Sequence, residues 1–399
     1  MEAIAALLES IGDVGRDPRR GGYSRPVFST AELDLREWFR AEAERRGLAV
    51  ETDRNGIIWA WWGTPQPGSL VTGSHLDSVP GGGAFDGPLG VASALAAVDV
   101  LRNRGTEPRR SLAITVFPEE EGSRFGVACL GSRLLTGAID ADKARNLRDA
   151  DGTTFADAAR RQGLNPELLG RDEEALARIG DFVELHVEQG RGLADSGPAV
   201  AVGGSVLGHG RWRLSITGQG NHAGTTAMSD RADPMVAAAR TIVAVRDAAA
   251  GTDGARATVG RMSPVPGGTN VIASRVDLWL DVRHPQDAVA LQLVDTIHGK
   301  AQKAAAFEGC SVLLSRESWT GTTDFDAGLR RSLELSLPGA PVLATGAGHD
   351  AGILAGYVPA GMLFVRNPSG ISHSPEEYVE AADADAGVLA LADVLGDLL

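Results

Sequence analysis

The sequence predicts an α/β protein: a mainly parallel sheet with helices on both faces, interrupted by an inserted ferredoxin-like α+β module. Three observations lead there. Between residues 70 and 190, apolar strand-like runs alternate with helical stretches, as in a sheet whose parallel strands are joined by crossover helices. Between about 207 and 318 the order becomes β-α-β-β-α-β, the split pattern of a compact two-layer module. Beyond that, an apolar run at 361–365 and a helical stretch over 380–399 return to the first pattern. The expected organisation is one discontinuous domain, 1–206 with 319–399, carrying an insert at 207–318.

The elements follow in order. Residues 1–9 read as an amphipathic helix without the basic start of a signal peptide. A charged helix covers 31–47, with Thr30 as its N-cap and Gly47 closing it. Strands at 48–52 and 57–62 flank the turn Asp53-Arg54-Asn55-Gly56. Trp59, Trp61 and Trp62 on the second of these are read as strand packing, which aromatics favour. A strand near 70–72 enters a glycine-rich loop, a helix follows over 89–101, and another strand covers 112–117. Residues 140–180 are polar and helical and are read as a solvated excursion without chemistry. The stretch 182–190 alternates like a strand. In the insert, Trp212, Leu214 and Ile216 alternate with polar residues, and Asp233-Pro234 opens a helix. Strands follow at 257–262 and 276–282, then a helix at 286–306 and a last strand at 311–314. Gly203-Gly204 and Gly321 are read as flexible connections to the insert.

Composition excludes several classes of function. The chain has 399 residues, 43% of them hydrophobic, and a net charge of −14. An acidic chain without a basic cluster argues against nucleic acid and anionic membrane surfaces. Two cysteines, Cys129 and Cys310, cannot form a disulfide framework or a zinc ribbon. No apolar run reaches the roughly 18 residues of a membrane span. A cytoplasmic protein acting on a small molecule is expected.

The residues that carry chemistry sit where strands end. His75, Asp77 and Asp86 share the glycine-rich loop. Glu119, Glu120 and Glu121 follow the strand at 112–117, and His186 lies near the end of the strand at 182–190. His373 stands in Ser372-His373-Ser374-Pro375. In open α/β sheets, sites form outside the carboxyl ends of strands. Imidazole with carboxylate suits zinc, manganese, cobalt or nickel better than calcium.

These segments, with Asn221-His222-Ala223-Gly224, Gly268-Thr269-Asn270-Val271 and Gly346-Ala347-Gly348-His349-Asp350, resemble the dinuclear metallopeptidase and amidohydrolase family. The likeness is greatest to its ureido branch: allantoate amidohydrolase, N-carbamoyl-L-amino acid hydrolase and β-ureidopropionase. The resemblance implies two divalent ions per chain, zinc or manganese, with cobalt or nickel as alternatives. Asp86 would bridge them, His75 and His186 would serve one, and Glu121 and His373 the other. Glu120 would be the general base and Asp77 would orient His75. His222 would stabilise the oxyanion, and Gln189, Asn270, Arg283 and Gly348 would join it in holding substrate. Glu119 looks spare, His349 would hold a partner near His373, and His209, His284 and His298 are expected to be exposed. The implied reaction is hydrolysis of the terminal carbamoyl C–N bond of allantoate. N-carbamoyl-L-amino acids, β-ureido acids and N-formyl or other N-acyl amino acids such as N-formylglutamate are alternatives. The family pattern further implies a homodimer paired through the insert, with His222 reaching a partner's site. A dipeptidase is disfavoured because His186 stands where peptidases of the family often carry Asp or Glu. Thr345 and Ala273 depart from the branch's frequent Ser and Pro beside the substrate pocket.

Overall fold

The computed structural model describes residues 4–194 and 197–399. Its strands in chain order are β1 (Ala49–Thr52), β2 (Ile58–Trp62), β3 (Ser69–His75), β4 (Leu112–Phe117), β5 (Ile179–Val187) and β6 (Val200–Val206). They continue with β7 (Gly208–Thr217), β8 (Asn221–His222), β9 (Arg256–Val265), β10 (Val271–Ile272), β11 (Arg275–His284) and β12 (Ser311–Thr320). The last are β13 (Thr323–Asp324), β14 (Val342–Thr345) and β15 (Ala360–Val365). The chain forms two compact units, one running to Ser205 and resuming at Asp324, the other Val206–Thr323.

The larger unit is built on a nine-stranded sheet ordered β1-β2-β4-β3-β5-β15-β6-β13, with β14 paired to β6. Its centre is parallel: β3 pairs in parallel with β4 and β5, and β5 with β15. Antiparallel strands flank this centre, β2 against β4 and β6 against β15. Strands β3, β4 and β15 are buried along their whole length, as expected of strands covered on both faces. The helix Pro88–Asn103 packs against β3, β5 and the closing helix Ala381–Leu398. Their apolar side chains share one core with Leu70, Ile114, Leu185 and Leu363. Alternation divides β2 between the layers. Ile58 and Ala60 enter that core. Trp59 and Trp61 point the other way and stack, with ring centroids 5.7 Å apart. Both indoles are buried and bonded, Trp59 Nε1 to Asp53 and Trp61 Nε1 to Glu51.

Three local expectations are corrected. The helix over 30–45 is capped by Ser29, whose hydroxyl accepts from Glu32 N, so Thr30 is its first turn. The stretch 140–180 is not simply solvated. Phe155, Ala158, Ala159 and Leu169 form a second core with Val27, Phe28, Phe125 and Leu130, because its short helices each turn one apolar face inward. Gly203 and Gly204 are not a loose connection but lie inside β6. There the Met362 side chain approaches Gly203 so closely that a Cβ would lie 2.8 Å from the Met362 Cβ.

The smaller unit has a four-stranded antiparallel sheet ordered β12-β7-β11-β9. The first and third strands are central, as the split β-α-β pattern requires. The helices Pro234–Ala250 and Asp287–Phe307 cover one face. Trp212, Leu214, Ile216, Val276, Leu278, Leu280 and Val282 are the inward residues of the two central strands. At its ends, Asp287 accepts from Thr322 N and Thr322 Oγ1, and Thr322 Oγ1 accepts from Gly208 N. Gly321 is thus held in a bonded turn.

Asp53 is half-buried at the β1–β2 turn. Its carboxylate accepts from Asn55 N, Ile57 N and Trp59 Nε1. Burial outweighs those bonds and raises its pKa from 3.8 to about 6. The folded chain then keeps this proton at pH values where the unfolded chain has lost it. Stability carried by Asp53 is therefore full below about pH 4 and falls as pH rises to about 6. The melting temperature of wild type relative to Asp53→Asn should decline across that window and be flat above it. A pH-independent difference would refute the assignment.

Candidate active site

The parallel strands deliver their carboxyl ends to one edge. His75 is the last residue of β3 and His186 the penultimate residue of β5. Glu119, Glu120 and Glu121 follow β4, and the segment after β15 leads to His373. Asp86 comes from the loop between β3 and the helix Pro88–Asn103. Gly87 closes that loop at φ +84°, and a Cβ there would lie 2.6 Å from the His75 ring. Only glycine lets the backbone pass so close behind the imidazole.

Two donor clusters share Asp86. Its Oδ1 lies 3.4 Å from His75 Nε2 and 3.2 Å from His186 Nε2, and the two ring nitrogens are 3.5 Å apart. Its Oδ2 lies 3.4 Å from His373 Nε2, which is 3.3 Å from Glu121 Oε2. The sets His75–Asp86–His186 and Asp86–Glu121–His373 each have the makings of a metal site. A tetrahedral ion with bonds of about 2.0–2.1 Å separates its ligands by roughly 3.3–3.4 Å. The observed separations match that spacing in both clusters, so the residues present fit a divalent ion in each. Glu121 Oε1 is buried without a hydrogen-bond partner, a second sign that the set is arranged for a cation.

The ring orientations are fixed from behind. His75 Nδ1 donates to the backbone carbonyl of Asp77 at 3.0 Å, and His186 Nδ1 to that of Val187 at 3.0 Å. Both Nε2 lone pairs then face Asp86, the arrangement that metal-binding histidines need. Sequence reasoning expected the Asp77 carboxylate to hold His75. It stands 3.6 Å from Nδ1 and instead accepts from Glu120 N and Glu121 N, both at 3.1 Å. Asp77 thus ties the β3 loop to the β4 loop.

Glu120 is buried, with Oε2 3.7 Å from His75 Nε2 and Oε1 accepting from the Cys129 thiol at 3.3 Å. Glu119 is not spare. At φ +54° it turns inward and accepts from Arg124 N and Phe125 N, shaping the loop that aims its two neighbours. Burial raises its pKa to about 8. Burial also pushes Glu120 and Glu121 well above the carboxylate range. Against burial, the Glu120, Asp77 and Asp86 carboxylates hold His75 well above its ordinary value. The edge concentrates buried acid without enough basic partners, which bound cations would remedy.

Several contributors were not foreseen. Glu184 accepts from Ser74 Oγ and Ala351 N under the cluster. Asp350 accepts from Ser132 Oγ, and burial raises its pKa to about 8. Glu377 accepts from Phe85 N and Asp86 N, and Ser372 Oγ donates to it. Glu184 sits two residues before His186 on the same strand face, a signal period-two reading could have used. His349 is buried, its ring 4.6 Å from that of His186, and burial keeps its pKa well below the usual value. Gln189 Nε2 donates to Asp86 Oδ2 at 2.9 Å and lies 3.3 Å from His373 Nε2. Its amide stands at the half-exposed, His373 side of the edge. Gly348 is exposed with open space beside it.

In the smaller unit, β8 pairs with β10 so that His222 opposes Val271, and Ala223 N bonds Asn270 O. His222 and Asn270 are exposed neighbours at the Arg275 end of β11. Arg283 lies at the other end of that strand, paired with Asp281 at 2.8 Å. His209, His284 and His298 are not exposed. His284 is buried and bonds the Asp253 and Gln286 backbone, and the other two are half-buried.

Residues 71–397 match peptidase family M20/M25/M40 over its sequence profile. The chain belongs to that family. It is 34% identical to an N-carbamoyl-L-amino acid amidohydrolase of Geobacillus stearothermophilus over 392 residues, 97% of this chain and 95% of that one. It is 32% identical to the allantoate amidohydrolase of Escherichia coli over 407 residues, 100% and 98% of the two chains. A hydantoinase/carbamoylase family amidase of Burkholderia multivorans superposes with a TM-score of 0.86 at 29% identity, covering 98% and 96%. Within peptidase family M20/M25/M40 the chain falls in the ureido branch, a hydrolase of C–N bonds other than peptide bonds. The family is metal-dependent, in keeping with the two donor clusters.

Asp77→Asn would turn one of two acceptors into a donor facing a backbone N–H. Metal affinity should fall about 10- to 100-fold, the usual effect of losing a group that orients ligands. Titration with zinc against a competing chelator checks this, and wild-type affinity would show that Asp77 is dispensable.

Proposed function

We propose that this protein is a two-metal amidohydrolase that cleaves the terminal carbamoyl C–N bond of a small ureido acid, with allantoate as its substrate. The observation that carries this reading is the shared Asp86, whose two oxygens face one donor cluster each. His75 and His186 would hold one divalent ion and Glu121 and His373 the other, zinc or manganese in either case. Bound there, the ions supply Lewis acidity for the carbonyl and a water of lowered pKa. The protein's own part is proton transfer and positioning. Glu120 takes a proton from the attacking water and returns it to the departing nitrogen. Allantoate and water then yield ureidoglycine, ammonia and carbon dioxide. The second reading is an N-carbamoyl-L-amino acid, favoured by the 34% identity to the Geobacillus stearothermophilus relative. Both substrates present a carboxylate beside a ureido group, which Gln189, Asn270, Arg283 and Gly348 would recognise.

The register of the smaller unit bears on assembly. From Arg275 to Arg283 is eight residues of β11, about 27 Å at the rise of an extended strand. His222 and Asn270 at one end and Arg283 at the other are too far apart to grip one small molecule. The proposal is that a homodimer completes each site, with His222 and Asn270 supplied by a second copy. A donor aimed at the developing oxyanion contributes about 2.7–4 kcal/mol, so such a copy would matter to rate.

Three results would test this. Removal of metal by chelation should abolish ammonia release from allantoate, with recovery on adding zinc or manganese. Release from N-carbamoyl-L-amino acids alone would select the second reading. Glu120→Gln should keep its metal and lose turnover by roughly 10²–10⁴-fold; near wild-type kcat would move the base elsewhere. Mixing His222→Ala with Glu120→Gln chains should restore up to about a quarter of wild-type activity, since a two-fold dimer then has one intact site. Mixed dimers that form but stay inactive would place His222 within its own subunit.

A further inference from the structure

We infer that Glu377 is a positioning residue for the second donor cluster, fastening the Asp86 loop to the His373 segment. The inference rests on the two-metal reading above. Glu377 Oε1 accepts from Phe85 N and Asp86 N, both at 3.0 Å, across more than 290 residues of sequence. Its Oε2 accepts from Ser372 Oγ at 3.1 Å, and Ser372 precedes His373. One buried carboxylate therefore holds the backbone of the bridging Asp86 and the neighbour of His373 together. The Asp86 loop is shaped for it. A Cβ on Gly83 would lie 2.1 Å from Glu377 Oε1, so only glycine admits the carboxylate at that place. A rim contact adds to the joint, the Phe85 ring meeting Tyr378 edge to face at 6.4 Å.

The two clusters depend on this joint unequally. His75 and His186 are carried on adjoining strands of the sheet, β3 and β5, and need no loop to meet. His373 is carried by an irregular segment at φ +56°, a conformation that a non-glycine residue adopts only when its surroundings enforce it. Glu377, four residues on, is the buried anchor of that segment. Glutamine in its place keeps an acceptor for the two backbone N–H groups, and Ser372 can rotate to accept from the amide. Alanine leaves both N–H groups and the serine without it.

The test is zinc binding by calorimetry, with the melting temperature of metal-free protein as a fold control. Wild type and Glu377→Gln should each bind two ions per chain. Glu377→Ala should bind the second ion about 10- to 100-fold more weakly, as for other groups that orient ligands, and the first more weakly by a smaller factor, because Asp86 is the only member of the first cluster that Glu377 holds. Should Glu377→Ala not fold, Gly83→Ala displaces the same carboxylate and is read in the same way. Two wild-type affinities in a folded Glu377→Ala or Gly83→Ala protein would overturn the role of Glu377 while leaving the two-metal reading standing. Fewer than two ions in wild type would overturn that reading instead. Equal weakening at both sites would show a general loss of structure and refute a role confined to the second cluster.

Discussion

The structure turns on one carboxylate. Asp86 presents Oδ1 to two histidines and Oδ2 to a third histidine that also faces a glutamate. A buried carboxylate costs several kcal/mol of lost hydration unless charge and hydrogen bonds replace it. Here the replacement is distributed over the whole larger unit. Strands β3 and β5 bring the histidines, Gln189 donates to Oδ2, and Glu377 holds the backbone. The parallel centre of the sheet makes this possible, because its strands finish side by side at one edge. The price is a set of acids, Glu120, Glu121 and Glu184 among them, whose burial pushes their pKa values up.

How much of this could be read from the chain depended on the kind of residue. Strand ends were legible, because apolar runs such as 112–117 stop abruptly at charged residues. The split pattern of the insert was legible from alternation in stretches such as 212–216 and 276–282. The residues that meet at that edge were legible by resemblance, through motifs kept in order along the chain. Roles that depend on who meets whom across long separations were not. Glu377 is one of two acids after a proline, and only the fold carries Phe85 and Asp86 to it. Glu119 reads as surplus charge, until a left-handed backbone turns it inward. Asp77 faces His75 Nδ1 with its carbonyl at 3.0 Å and its carboxylate at 3.6 Å, and the same carboxylate accepts from Glu120 N and Glu121 N, bonds that only the fold brings together. His284 looked unattached because its partners are the Asp253 carbonyl and the Gln286 backbone N–H, which no side-chain motif records.

The ends of β11 illustrate a limit that is set by strand geometry rather than by chemistry. Asn270 and Arg283 stand thirteen positions apart, and the chain between them includes almost the full length of a straight central strand. A strand cannot be bent back within a packed sheet without breaking its ladder, and β11 is paired on both sides, to β7 and to β9. Its irregularity between Trp279 and Leu280 alters the register with β9 only. On the proposed assignment, Asn270 before one end of this strand and Arg283 near its other end would serve different sites. His222 and Asn270 are exposed at one end and Arg283 is half-buried at the other, and the two-fold assembly proposed above could use both, because the symmetry that pairs two copies also places opposite ends of the same element beside different sites. Backbone rise and pairing alone set this separation along β11.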